Sequence, residues 1–276
     1  MAISAFTLAR RLRAGETVFA GWCSLPYPIV AETLGREGFG TVTLEAQHGL
    51  WDMSALLTGV AAVRQGGAAP VVRVPVGDFA MVSRVLDFGA EGIIAPMINT
   101  AADARAFAAA AKYPPTGERS WGPHRATTLA GLSDQTVYLR EANDHVITLA
   151  MIETRTALDN LDAIVDTPGI DGLFLGPSDL SIALSDGKTL DPLSKDVERA
   201  LDRIVAAAQR AKKDCRRLLP FARARGRARR ARDALPRGDE RSGAVARWHG
   251  GGDEGAQGQL ERVQEKWKPV FRPDAR

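Results

Sequence analysis

Cysteine and histidine are scarce in this chain: Cys23 and Cys215 are its two thiols, and it has four histidines in 276 residues. With no CxxC pair and no Cys/His cluster, a disulfide framework and a thiolate zinc site are excluded, and the two distant cysteines read as incidental or buried thiols. Long apolar runs are missing as well. No stretch is long enough to span a bilayer, and MAISAFTLARRLRAGE reads as a short amphipathic helix over residues 4–13. A secretory signal would need a longer apolar block and a small-residue cleavage site, so a cytoplasmic protein with no membrane contact is expected. Excess positive charge is absent from the main body: residues 1–213 carry 20 basic and 24 acidic side chains, whereas residues 214–276 carry 16 and 9. The basic balance belongs to the tail, and the body gives no sign of a nucleic-acid surface.

What is present is alternation. With 45% hydrophobic residues the chain can bury one large core, and its repeated strand and helix patterns suit a single (β/α)8 TIM barrel. TVFAGWC is a first strand, YPIVAETLGREG a helix stopped by Gly38, and TVTLE a second strand followed at once by Ala46-Gln47-His48-Gly49. MSALLTGVAAVRQGG is a helix, and APVVRVP a third strand with Arg73 inside its apolar run. An arginine there must pair with an acid, such as Glu45 or Asp87, or point out of the strand's end toward a ligand. FAMVSRVLDFGAEG, IIAPM and TAADARAFAAAAKYP continue as helix, strand and helix. KYPPTGERSWGPHRATTLAG is a long Gly/Pro-rich loop; its His124 and Arg125 read as surface residues, or as groups of a loop that closes over a pocket. SDQTVYLREAND is a further helix.

The centre of the pattern is HVITLAMIETRTALDNLDAIVDTPGIDGLFLGPSDLSIAL, from His145 to Leu184. Its two strand-length runs, VITLAMI and GLFL, each lead to a carboxylate, Glu153 and Asp179, and TRTALDNLDAIV between them has helical spacing. A right-handed crossover sets these strands parallel, with both acids at the C-terminal edge where barrel enzymes hold catalytic groups. Two converging carboxylates suit a hard divalent cation, though each also stands where a helix cap would. DPLSKDVERALDRIVAAAQRAKK closes the body as an amphipathic helix.

After Lys213 the pattern collapses. Eleven arginines lie between Arg216 and Arg247, and no seventh or eighth strand can be read. The organisation expected is therefore a body of six strands over 1–213, an atypical Arg-rich segment over 214–254, and a C-terminal helix and tail over 255–276. The middle segment has the composition that GC-rich codons give when read out of frame; the alternative is a genuine basic segment. It lacks the interleaved aromatics of a nucleic-acid platform, and no nucleic-acid partner is expected.

The stretches TVTLEAQHGLWD, VVRVP, VLDFGAEGIIAPM, KYPPTGERSWG and MIETRTALDNLDAIVDTPGIDGLFLGPSDLS, within residues 20–185, resemble the HpcH/HpaI aldolases, metal-dependent class II enzymes that act on pyruvate-type donors. The resemblance implies a barrel of the phosphoenolpyruvate/pyruvate superfamily, a homo-oligomer (a hexamer built from trimers) and a divalent cation, Mg2+, Mn2+ or Co2+. It implies that Glu153 and Asp179 ligate the metal, that His48 is the catalytic base, that Asp87 raises its basicity, and that Arg73 stabilises the transition state. Arg73, Met151, Ser178 and Asp179 fall on the substrate side. Two positions depart from the family pattern: Met151 replaces a frequent glutamine, and Glu45 a frequent aspartate three residues before the histidine, and both bear on substrate preference. The reaction implied is cleavage of a 4-hydroxy-2-oxo acid, for example 4-hydroxy-2-oxoheptanedioate, to pyruvate and an aldehyde. The alternatives are a CoA-ester lyase of the same superfamily or a catalytically dead member; a CoA lyase should offer a basic nucleotide site, and residues 1–213 have no such cluster. No lysine stands at the end of the second to sixth strands, which argues against a Schiff-base route.

Overall fold

The structure, a computed structural model, describes residues 5–211 and the pair Leu218–Leu219. The Arg-rich segment and the C-terminal helix expected from the sequence otherwise lie outside the described residues. Seven parallel strands form one sheet: β1 (Val18–Cys23), β2 (Thr41–Glu45), β3 (Ala69–Arg73), β4 (Gly92–Ala95), β5 (Ile147–Ile152), β6 (Gly172–Leu175) and β7 (Leu218–Leu219). Their order is β6-β5-β4-β3-β2-β1-β7. The connecting helices are α1 (Leu8–Arg13), α2 (Pro28–Arg36), α3 (Met53–Gln65), α4 (Phe79–Asp87), α5 (Ala101–Ala111), α6 (His124–Leu129), α7 (Gln135–His145), α8 (Arg155–Asp159), α9 (Leu161–Val165), α10 (Pro177–Leu184) and α11 (Lys195–Arg210).

Side chains alternate across each strand, and both faces are buried, as a half-barrel requires. Outward residues such as Val42, Leu44, Val72, Ile93, Ala150 and Ile152 pack with Leu56, Val60, Val63 and Val82 of the helices. Inward residues Val18, Val71, Ile94, Leu149, Met151 and Phe174 form a second cluster, closed from below by Leu8, Ala9 and Leu12 of α1. Glu91, directly ahead of β4, fixes that plug. One of its carboxylate oxygens accepts from the backbone N–H groups of Thr7 and Leu8 at 2.7 and 2.8 Å, donors that the first turn of α1 leaves without helical partners. The other oxygen pairs with Arg64 at 3.0 Å.

Three expectations change. The Gly/Pro-rich loop contains α6, too short a helix to show a period in the sequence. The crossover helix after β5 breaks into α8 and α9 at Asn160, whose side-chain amide donates to the Thr156 and Asn99 carbonyls and so competes with the helical ladder. Beyond Lys213 there is a strand after all. β7 pairs with β1 through Val18↔Leu218 and Phe19↔Leu219, a ladder too short to leave an apolar run in the sequence. The described sheet thus has six full strands and a two-residue seventh, in place of the closed eight. None of the described helices is long and apolar enough to cross a membrane.

Candidate active site

Parallel strands bring all their C-terminal ends to one edge, and the loops leaving β1 to β6 converge there. The register of β2 on β3 sets Glu45 opposite Arg73. Both point inward, and Arg73 Nη2 pairs with Glu45 Oε2 at 2.5 Å. The guanidinium also lies over the Trp22 ring, 5.0 Å from its centroid, so it is held on two sides. The second Glu45 oxygen accepts from the backbone N–H groups of Gln47 and His48 at 2.8 and 3.2 Å. Glu45 therefore ties the loop that carries His48 to the arginine of the next strand. Arg73 Nε is buried and has no partner among the described residues, which leaves one fixed cationic donor free at this edge.

Glu153 follows β5 directly and is 2% exposed. Its Oε1 accepts from the backbone N–H of Met97 at 2.7 Å, presented by a left-handed turn at Met97 (φ 53°). Burial pushes the Glu153 carboxyl above its ordinary range; the Met97 N–H draws it back, the charge of Asp179 pushes it up again, and Arg73 draws it down. Asp179 and Arg73 thus both lie within electrostatic reach of Glu153. Asp179 sits in the first turn of α10 and, with Ser178, is exposed. Gly176 separates β6 from that helix because nothing larger fits: a Cβ there would stand 2.4 Å from Glu153 Oε2 and 2.6 Å from Met151 Cε. Met151 lies on the inner face as part of the apolar floor beneath this edge, buried against the Phe174 cluster.

These observations test whether the residues fit a cation. A desolvated carboxylate, Glu153, whose proton affinity is raised by the neighbouring charge of an exposed one forms a site whose charge a hard cation would relieve. Among the described residues no group of three or more His, Cys, Asp or Glu could hold a metal ion, so these residues supply two carboxylates, and further ligands would come from water and substrate. The fit is to an open, oxygen-ligated site.

Within one chain Asp87 does not join this constellation. It ends α4, just ahead of β4, and so stands at the N-terminal edge of the sheet, opposite His48. Its carboxylate pairs there with the buried Arg119 at 2.6 Å, whose guanidinium packs over the Tyr113 ring. His124 and Arg125 open α6 at the same edge, and within one chain they do not approach the mouth. The sequence reading missed Trp22, Met97 and Gly176. Gly176 stands ahead of the motif Pro177-Ser178-Asp179 and could have been suspected as a close approach; a left-handed Met97 leaves no trace in sequence.

Residues 19–232 match the model of the HpcH/HpaI aldolase/citrate lyase family. The chain belongs to that family. Among its relatives, the hydroxypyruvate/pyruvate aldolase of Rhizorhabdus wittichii is 40% identical over 199 residues, 72% of this chain and 78% of the relative. The 4-hydroxy-2-oxovalerate aldolase of Novosphingobium aromaticivorans is 37% identical over 201 residues, 72% and 76%. The crystal structure of the HpcH/HpaI aldolase from Desulfitobacterium hafniense superposes with a TM-score of 0.70 at 25% identity, covering 84% of this chain and 98% of that one. As a member of the HpcH/HpaI family with aldolases for relatives, this chain is an enzyme of the carbon–carbon lyase class.

Proposed function

We propose that the enzyme is a divalent-metal-dependent aldolase that cleaves a 4-hydroxy-2-oxo acid to pyruvate and an aldehyde. The observation that carries this reading is the convergence of Glu153 and Asp179 on one edge, with Arg73 within electrostatic reach of Glu153 and tied through Glu45 to the loop of His48. Glu153 and Asp179 would hold the cation, which when bound lowers the energy of enolate charge on a 2-oxo acid. Arg73 supplies a donor whose position is set in advance by Glu45 and Trp22, so it needs no reorganisation as negative charge develops on the oxo oxygen. His48, exposed at the mouth, takes the proton from the C4 hydroxyl; the C3–C4 bond breaks, the aldehyde carbonyl forms, and the electron pair remains with the three-carbon fragment as its enolate. Protonation at C3 then gives pyruvate. Ser178 and the adjacent turn line the donor side, and the thioether of Met151 closes the floor without offering a hydrogen bond to substrate.

The test is pyruvate release from 4-hydroxy-2-oxo acids by the full chain, coupled to lactate dehydrogenase, before and after EDTA and after return of Mg2+, Mn2+ or Co2+. Release that stops with EDTA and resumes with a cation is expected. Release that continues in EDTA, or no release from any such acid by folded protein, overturns the proposal.

A further inference from the structure

The bond that orients Glu153 comes from a backbone conformation that its donor residue disfavours. Met97 has φ 53°; among the described residues the other non-glycine with a left-handed backbone is Asp186. A short polar side chain can offset that conformation with a local hydrogen bond, and a methionine has none to make. Met97 therefore keeps its N–H on Glu153 Oε1, 2.7 Å away, because the rest of its loop compels it. Glu153 Oε2 faces Gly176, at the start of the helix that carries Asp179.

Asn99 is at the centre of what holds that loop. Ile98, beside it, is buried in the core between sheet and helices. The Asn99 side-chain oxygen accepts from the Thr154 hydroxyl. That hydroxyl already accepts the Ala157 N–H at 3.0 Å, so its own proton is directed to Asn99. The Asn99 carbonyl accepts at 3.0 Å from the amide of Asn160, the residue at which the crossover helix breaks. Its N–H donates to Asp103 at 3.1 Å, in the capped first turn of α5. Asn99 is thus tied through three separate groups to three segments of the chain. Thr154 directly follows Glu153, so two rungs, Met97 to Glu153 and Thr154 to Asn99, bind the loop after β4 to the end of β5.

We propose that Asn99 is a positioning residue for the cation. It holds the loop in the form that keeps the Met97 N–H on one Glu153 oxygen, and so fixes the rotamer in which the other oxygen faces the start of α10. The proposal rests on the aldolase reading above and deepens it. Asn99 touches neither cation nor substrate; it acts through Thr154 and Met97. A carboxylate held by one outer donor keeps its second oxygen in a set place, whereas an unheld one must lose that freedom each time a cation binds. The left-handed Met97 makes the device testable, because glycine adopts the same conformation without being compelled.

The experiment measures Mn2+ affinity by electron paramagnetic resonance, and Tm by circular dichroism, on the full chain. The variants are Asn99→Ala, Thr154→Val, which removes the same bond from its other end, and Asn99→Ala combined with Met97→Gly. Each single variant should bind Mn2+ about tenfold more weakly than the wild type. In the double variant most of that affinity should return while Tm stays low, since the bond to Thr154 is still missing. A merely structural clamp would move affinity and Tm together. Wild-type affinity in either folded single variant, no recovery in the double variant, or recovery of Tm in step with affinity overturns the proposal and leaves the aldolase reading standing. Failure of both single variants to fold also overturns it, in favour of a structural clamp. Absence of Mn2+ binding by the wild type overturns the aldolase reading itself.

Discussion

Replacing Gly176 by alanine probes the site at its tightest point. The backbone there has φ −98°, which alanine adopts freely, so the cost of the change is steric. The added methyl would lie 2.4 Å from Glu153 Oε2, 2.7 Å from Glu153 Cβ and 2.6 Å from Met151 Cε. Carbon–carbon contacts relax near 3.5–4.0 Å, so the neighbours must give way by about an ångström. Met151 is flexible but buried. Glu153 is pinned by the Met97 N–H at 2.7 Å and cannot swing without losing that bond. Overpacking of this kind costs about 1–3 kcal/mol, which for a chain of this size lowers Tm by roughly 2–12 °C. Because the displaced group is a carboxylate assigned to the cation, apparent Mn2+ affinity should fall by about 10- to 100-fold, the usual range for groups that support a ligand. Differential scanning fluorimetry of G176A across a Mn2+ titration reads both effects. A variant with the wild-type Tm and the wild-type Mn2+ midpoint would refute the close approach of Gly176 to Glu153.

Two further outcomes follow from other parts of the fold. Lys112 is buried, and its ammonium donates to Asp171 at 2.7 Å and to the Asn143 and Val146 carbonyls at 2.8 and 2.6 Å. Lys112→Met removes the cation and leaves its acceptors behind, which should cost roughly 3–5 kcal/mol in urea unfolding; a loss under about 1 kcal/mol would show that the knot is not structural. The Cys23 thiol is buried and pushed up to about 11, burial being the main cause. An unfolded thiol ionises near 9, so above that pH the unfolded chain sheds a proton that the folded one keeps. Stability should therefore fall between pH 9 and 11 more steeply in the wild type than in C23A. Equal slopes in urea melts at pH 8, 9.5 and 10.5 would contradict the assignment.

Much of the fold could be read in the sequence because each strand carries its own signal. TVTLE became β2 at Thr41–Glu45 with no change of boundary, and the GLFL run became β6. The meeting of Glu153 and Asp179 at one edge was legible because a right-handed crossover leaves little choice. Arg73 was the instructive case. An arginine in an apolar strand had to find an acid or a ligand, and it takes the Glu45 carboxylate with one nitrogen while another stays without a partner. Asp87 could not be placed from sequence. A motif names residues but not the edge of the sheet they occupy, and the helix that carries Asp87 ends at the edge opposite His48. The break at Asn160 and the helix at His124 were also hidden, since five- and six-residue helices are too short for a period of 3.6 to register.

The central claim is that Glu153 and Asp179 together hold a catalytic cation. It is tested most directly by Mn2+ binding followed by electron paramagnetic resonance on the wild type, Glu153→Gln and Asp179→Asn, with circular dichroism to show that each variant is folded. The account predicts a bound Mn2+ in the wild type whose signal responds to pyruvate, and loss of that response in both variants. Mn2+ bound with the same affinity and the same pyruvate response in either folded variant would contradict it.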